Sequence, residues 1–335
     1  MSLRQILVTA PAATLPYLTR AVEAEGAVEM RVLSTARPEG DALVLILAAE
    51  DNRQALLDRM QAVFGPENEG DWRITLLPVE ATIPRIEDEK PERREIAATG
   101  LTREEIYDQV WKNARVDRNY IVFVVLSTVV AALGLLSDNV AVVVGAMVIA
   151  PLLGPNLALA VGIALGDGAL MGRALRTNLA GVVVALGLSI LIGLLATPAF
   201  TSQELMSRAE VGFDGMAIAL ASGAAAALSL VTGISSALVG VMVAVALLPP
   251  TAAVGMFIGF SRPDLALGAA TLLAVNVVCV NLAAQGIMFT RGITPRTFYE
   301  KKSAARARIV SAAITLALLA ALAGLVYWRL LHPTA

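Results

Sequence analysis

The residues with the most chemical meaning are prolines and amides set inside apolar sequence. Pro151, Gly154, Pro155 and Asn156 fall near the middle of one long apolar run, and Pro249, Pro250 and Thr251 near the middle of another. Proline removes a backbone donor and clashes with the preceding helical turn. A carbonyl freed in this way at membrane depth is tolerated only beside protein or a water-filled cavity. Asn156 and Thr251 directly follow the prolines, and both are good helix N-caps. A half-helix restarting at either would carry about half a positive charge and free N–H groups. Two such ends meeting near the midplane would suit a small polar or anionic solute. A pair of plain proline kinks, packed against neighbouring helices, is the alternative. Further along, Asn276, Asn281 and Gln285 share a broad helix face through spacings of five and four. Amides buried in lipid need partners, and both roles stay open to them: bridging helices or touching the solute.

Other chemistries are excluded by count. The single cysteine, Cys279, lies in an apolar stretch, and the single histidine is His332. One chain therefore holds no disulfide framework, thiolate cluster, histidine metal site or Ser-His-Asp arrangement. No Asp, Glu, Lys or Arg lies in mid-span, so a carboxylate proton relay through the core is not supported. Asp138 and Asp167 sit at span ends, where an interfacial role is expected. Neither an enzymatic activity nor a cofactor or metal is expected, and no nucleic-acid partner.

The elements that position these residues belong to a polytopic helical membrane protein. Of the 335 residues 57% are hydrophobic and 16% charged, with mean hydropathy +0.70; soluble domains carry about 25% charged residues. Residues 1–118 hold 15 Lys/Arg and 21 Asp/Glu, a soluble composition, whereas the remaining residues hold 11 and 7. The start of the chain has no long apolar core after a basic segment, so no signal peptide is expected.

Seven spans of about 20 apolar residues are expected: Asn119–Leu136, Asn139–Gly166, Thr177–Pro198, Gly215–Val231, Ile234–Phe260, Leu265–Thr290 and Ile309–Trp328. Placing residues 1–80 in the cytoplasm puts eleven basic residues, from Lys112 to Arg308, on the inside and three on the outside. The inner bacterial membrane, with the C-terminus outside, is the expected location. Residues 1–80 read βαββαβ, a ferredoxin-like α+β domain for regulation or assembly into a homo-oligomer. Residues 81–101 form a linker, and 102–118 an amphipathic interfacial helix, opened by Thr102 and Glu105, that runs into the first span. Residues 119–290 form the membrane domain, 291–308 a basic cytoplasmic loop, and 309–335 the seventh span and C-terminus.

The membrane domain repeats itself. VGAMVIAPLLGPN at 144–156 aligns without gaps to VGVMVAVALLPPT at 239–251, an offset of 95 residues that also pairs Ser127 with Ser222. Spans 1–3 thus correspond to spans 4–6. An odd repeat unit must invert, which is the pattern of secondary transporters with broken helices, here helices 2 and 5. After each break comes a small-xxx-small pair, Gly162/Gly166 and Gly255/Gly259, suited to close helix packing. The stretch Val116–Thr290, carrying both motif copies, resembles a bacterial and archaeal membrane family: the uncharacterised hydrophobic domain, or domain of unknown function number three hundred eighty-nine. That resemblance implies an integral membrane protein and carries no functional residues across. The leading expectation is a secondary transporter or solute pore; the other is a membrane-anchored sensor or scaffold.

Overall fold

The structure is a computed structural model describing residues 3–35, 40–49, 52–64, 71–79, 82, 101–197, 202–210, 212–233 and 236–293, plus four isolated later positions; side chains of 236–246 are outside that description. The chain forms two compact units, Met1–Arg103 and Glu104–Ala335.

In the first unit, strands β1 (Arg4–Pro11), β2 (Glu29–Thr35), β3 (Asp41–Ala48) and β4 (Arg73–Pro78) alternate with helices α1 (Leu15–Ala24) and α2 (Arg53–Phe64). Period-two alternation buries Ile6, Val8 and Ala10 of β1 and Val44 and Ile46 of β3 on one face. Leu18 and Val22 of α1, and Leu56, Leu57, Met60 and Phe64 of α2, close over that face. The sheet order is β2-β3-β1-β4, every neighbouring pair antiparallel. The βαββαβ order expected from the sequence is observed.

The second unit opens with α3 (Arg103–Asn113). Its buried side chains include Ile106 and Val110, as the amphipathic pattern requires. The helix does not run on into a span. It stops before Ala114–Asp117, and the Asp117 carboxylate accepts from the Tyr120 N–H at 2.7 Å to cap a new helix.

That helix, α4 (Arg118–Leu136), and α7 (Gly168–Leu195), α9 (Phe213–Thr232) and α11 (Pro263–Thr290) are each long and apolar enough to cross a membrane. Between α4 and α7 lies a pair bent by 53°, α5 (Val140–Ile149) and α6 (Leu153–Leu165), apolar enough together for a broken span or a re-entrant loop. A short helix, α8 (Gln203–Met206), follows α7. Finally α10 (Ser236–Gly259) is helical throughout, with Leu247–Gly259 as its described apolar part. Many large apolar side chains on these helices are exposed, such as Leu179 and Val183 on α7, as lipid-facing positions should be. The chain is therefore a mostly helical membrane-type protein with a small antiparallel sheet near its N-terminus. The seventh span expected at Ile309–Trp328, the basic loop at 291–308 and the linker at 81–101 fall almost wholly outside the described residues.

Two expectations need correction. The break in the second span is present, but the matching break in the fifth is not: α10 carries Pro249 and Pro250 inside a continuous helix. The paired small residues also divide in role. Gly255 and Gly259 press α10 onto α7, where a Cβ would fall 2.5 Å from Ser189 Cβ and 2.7 Å from Ile190 O respectively. Gly166, by contrast, is the left-handed C-cap of α6, at φ 71°, a conformation glycine adopts without strain.

Candidate functional site

The break between α5 and α6 is made by Pro151. Ala150, the residue before it, ends α5 in an extended conformation, φ −66° and ψ 123°. Steric conflict with the proline ring excludes the helical region there. Leu152 then serves as N-cap of α6 without a side-chain hydrogen bond. Pro155 falls on the third residue of α6, in the first turn, where no helical partner awaits its missing N–H. An added Cβ at Gly181 of α7 would meet Leu152 Cδ2 at 3.0 Å and also the Tyr120 hydroxyl of α4. The N-terminal end of α6 therefore lies beside the first turn of α4 and the middle of α7. Gly154 lets that end close: a Cβ on it would come within 2.8 Å of Asn113 Cβ on α3.

Neither expected N-cap residue caps a helix. Asn156 is the fourth residue of α6, buried to 6% exposure, and its Nδ2 donates backward to Leu152 O at 2.9 Å. Its Oδ1 accepts from Nδ2 of Asn281 on α11 at 3.3 Å. Asn281 also donates to Val277 O at 2.9 Å, while its own Oδ1 is buried with no partner among the described residues. Thr251 is inside α10, and its hydroxyl donates to Leu247 O at 2.7 Å. Pro249 and Pro250 are buried beside it. On α11, Asn276 is buried and Gln285 half-buried.

The structure thus joins Pro151, Gly154, Pro155, Asn156 and Asn281 at one locality and leaves Pro249, Pro250 and Thr251 as an intact helical stretch. The locality offers an unfilled acceptor, Asn281 Oδ1, beside a helix N-terminus that offers donors. Among the described residues there is no group of three or more His, Cys, Asp or Glu able to hold a metal ion.

A second polar cluster was not singled out from the sequence. Asp167 caps α7 by accepting from the N–H groups of Ala169 and Leu170 at 2.8 and 3.0 Å, and its other oxygen accepts from the Tyr107 hydroxyl at 2.7 Å. Burial, together with this hydrogen bond, pushes the Tyr107 phenol up to about 12. Tyr107 stacks on Trp111 at 5.8 Å, and Arg173 lies over the Trp111 ring at 4.4 Å. Ala114 O accepts from Arg173 Nε at 3.0 Å and Thr177 Oγ1 at 3.1 Å. Tyr120 donates to Thr177 O at 3.0 Å. The aromatic pair at i, i+4 in α3 was the available signal; its partners lie about 60 residues away and leave no local pattern. At the other end of α4, Asp138 accepts from the Ser202 hydroxyl at 3.2 Å and from the Glu204 N–H at 2.8 Å.

Residues 147–282 match the family described as "Domain of unknown function (DUF389)". An uncharacterized protein of Methanocaldococcus jannaschii is 33% identical over 265 residues, covering 78% of this chain and 80% of its own length. No solved structure matches.

Proposed function

The chain belongs to the DUF389 family, and from that premise we propose that it is a membrane transporter or solute pore for a small polar solute, with the α5–α6 break and the Asn156–Asn281 pair as its contact site. The observation that carries the reading is the orphaned acceptor of Asn281 beside the broken helix. An unpaired buried acceptor costs about 1–3 kcal/mol, and a solute N–H or O–H would recover that cost. The uncapped N–H groups of α6 and its positive end would bind the solute's own acceptors or an anionic group.

The packing lends further support. Gly193 of α7 meets Met256 and Gly259 of α10, and Ser189 meets Gly255, so these helices run in the same direction. In the other half, α11 takes α6 as its partner. Helix α4 lies beside α7, as α9 lies beside α11, where Gly223 meets Val280. These pairings are the ones a 3+3 inverted repeat would produce. In this reading the N-terminal domain is cytoplasmic, regulates or assembles a homo-oligomer, and the spans total seven.

The unbroken α10 favours a second reading, a membrane-anchored sensor or scaffold, because a symmetric pair of broken helices is not present. Proteoliposome swelling separates the two. With urea, glycerol or formate outside, vesicles holding the full chain swell faster than empty vesicles, and Asn281→Leu slows them. Equal rates for all three probes would leave the sensor reading standing. Sidedness is read by labelling single cysteines: Gln203→Cys and Ser261→Cys from outside, Arg115→Cys and Arg291→Cys from the cytoplasm.

A further inference from the structure

The α3 end of the helical unit carries positive charge that its own acids do not neutralise. Arg115, Arg118 and Arg176 are exposed, and none has an ion-pair partner among the described residues. Of the acids at this end, Asp108 pairs with Lys112, Asp117 caps α4, Asp167 binds Tyr107 and the α7 N–H groups, and Glu104 and Glu105 of α3 are engaged as well. The arginines are also held in place. The carbonyl of Ala114 accepts from both Arg173 and Thr177, so the chain at Arg115 is fixed against the turn of α7 that bears Arg173 and Arg176. The guanidinium carbon of Arg173 sits over the Trp111 ring, 4.4 Å from its centre, where the ring face stabilises the cation.

Along α7 runs an apolar column. Leu175, Leu179 and Val183 of α7 are 60%, 61% and 58% exposed, at i, i+4 and i+8 on one face. Val122, Phe123 and Leu126 of α4, which packs beside α7, are exposed as well. A cationic, aromatic rim at the head of an exposed apolar column has the shape and polarity of one ligand class. A free anion would use the rim and waste the column; a detergent-like neutral lipid would do the reverse.

We propose that the α3–α4 turn and the first turns of α7 form a binding site for an anionic phospholipid, its headgroup phosphate held by Arg115 and Arg176 beside the Trp111–Arg173 stack and its acyl chains lying along α4 and α7. The site stands independently of any transport activity. Clustered Arg beside a span and between spans is how proteins select acidic headgroups, and Trp at this depth anchors the headgroup zone.

The test is native mass spectrometry of the full chain, purified in detergent and offered phosphatidylglycerol or phosphatidylcholine of the same acyl chains. Phosphatidylglycerol should bind at least about tenfold more tightly. The double variant Arg115→Gln/Arg176→Gln should bring it down to the phosphatidylcholine level, while Arg262→Gln, at the other end of the helices and paired with Asp264 at 2.7 Å, changes nothing. Equal binding of the two lipids, or a double variant with unaltered preference, overturns the site. Displacement of the lipid by millimolar inorganic phosphate overturns it too, since it would mark a free-anion site. Should the double variant aggregate, each single variant must still lower the preference at least about twofold; no change in either overturns the proposal.

Discussion

The same thirteen-residue motif adopts two different backbones in one chain. At 144–156 it breaks into α5 and α6; at 239–251 it continues through α10. Both copies hold the later proline, Pro155 or Pro250, so that proline is not what breaks the helix. The copies differ where the break occurs: Pro151 in the first aligns with Ala246 in the second. Pro151 forces Ala150 out of the helical region, after which Pro155 falls harmlessly in a first turn. In the second copy Pro249 and Pro250 stay inside a helix, missing two ladder donors, and the cost must be offset by packing. Gly255 and Gly259 supply that packing by bringing α10 into backbone contact with α7. A proline thus reads as a break only when its position relative to the helix start is known.

Exchanging the deciding residue between copies should have the largest effect. Ala246→Pro should plant a break in α10 and destabilise the helical unit by about 3 kcal/mol, seen as a lowered thermal midpoint in detergent. Pro151→Ala should act in the opposite sense, straightening α5–α6 and narrowing the 53° bend, measurable as a longer spin-label distance between residues 140 and 165. If Ala246→Pro proves neutral, the two copies differ for some reason other than Pro151.

Removing the offset comes next. Gly255→Leu would drive a side chain into Ser189 and Leu186 O and should cost about 1–3 kcal/mol. Gly145→Leu, where a Cβ meets nothing within 4 Å, should be close to neutral. Equal effects at the two positions would show that the α7–α10 approach does not hold α10 together.

The amide pair should count for less. Asn156→Leu and Asn281→Leu should each destabilise by about 1 kcal/mol, and a double-mutant cycle should return a coupling of similar size. Additive losses would mean that the 3.3 Å contact between them carries no energy.

The smallest effect should be at Tyr107, which ties α3 to the end of α6–α7. Its phenol ionises near 12, against an ordinary value of 10.0. The folded value is the higher one, so this contribution is complete below pH 10 and is lost as pH rises through 12. Tyr107→Phe should cost about 1 kcal/mol or less near neutral pH and flatten the stability profile between pH 10 and 12. An unchanged profile would remove Tyr107 from the account.

Much of this architecture was legible beforehand because it rests on local periodicity. Short apolar runs around Ile6–Val8 and Leu43–Leu47 between turn and helix signals marked the sheet, and long uncharged runs marked α4, α7, α9 and α11 to within about ten residues. The left-handed Gly233, at φ 70°, ends α9 at the point where composition alone suggested a division. The site was legible only in part. Pro151 pointed to a break that exists, but Pro249-Pro250 pointed to one that does not, because whether a helix absorbs a proline depends on tertiary contacts such as those of Gly255 and Gly259. Asn156 and Thr251 were read as caps from their place after proline; both instead donate back to carbonyls four residues earlier. The bond between Asn156 and Asn281 spans 125 residues, and the clasp of Trp111 by Arg173 spans a shorter but equally non-local gap. No window along the chain contains either.

The account turns on whether water reaches the break. In a Cys279→Ala background, the full chain in vesicles would be treated with a membrane-impermeant thiol reagent, applied to each side in turn. Ala150→Cys, at the break, should react from at least one side, and Val183→Cys, facing lipid on α7, should not. Reaction at Ala150→Cys no faster than at Val183→Cys would mean a dry, packed bend and would contradict the proposed solute path.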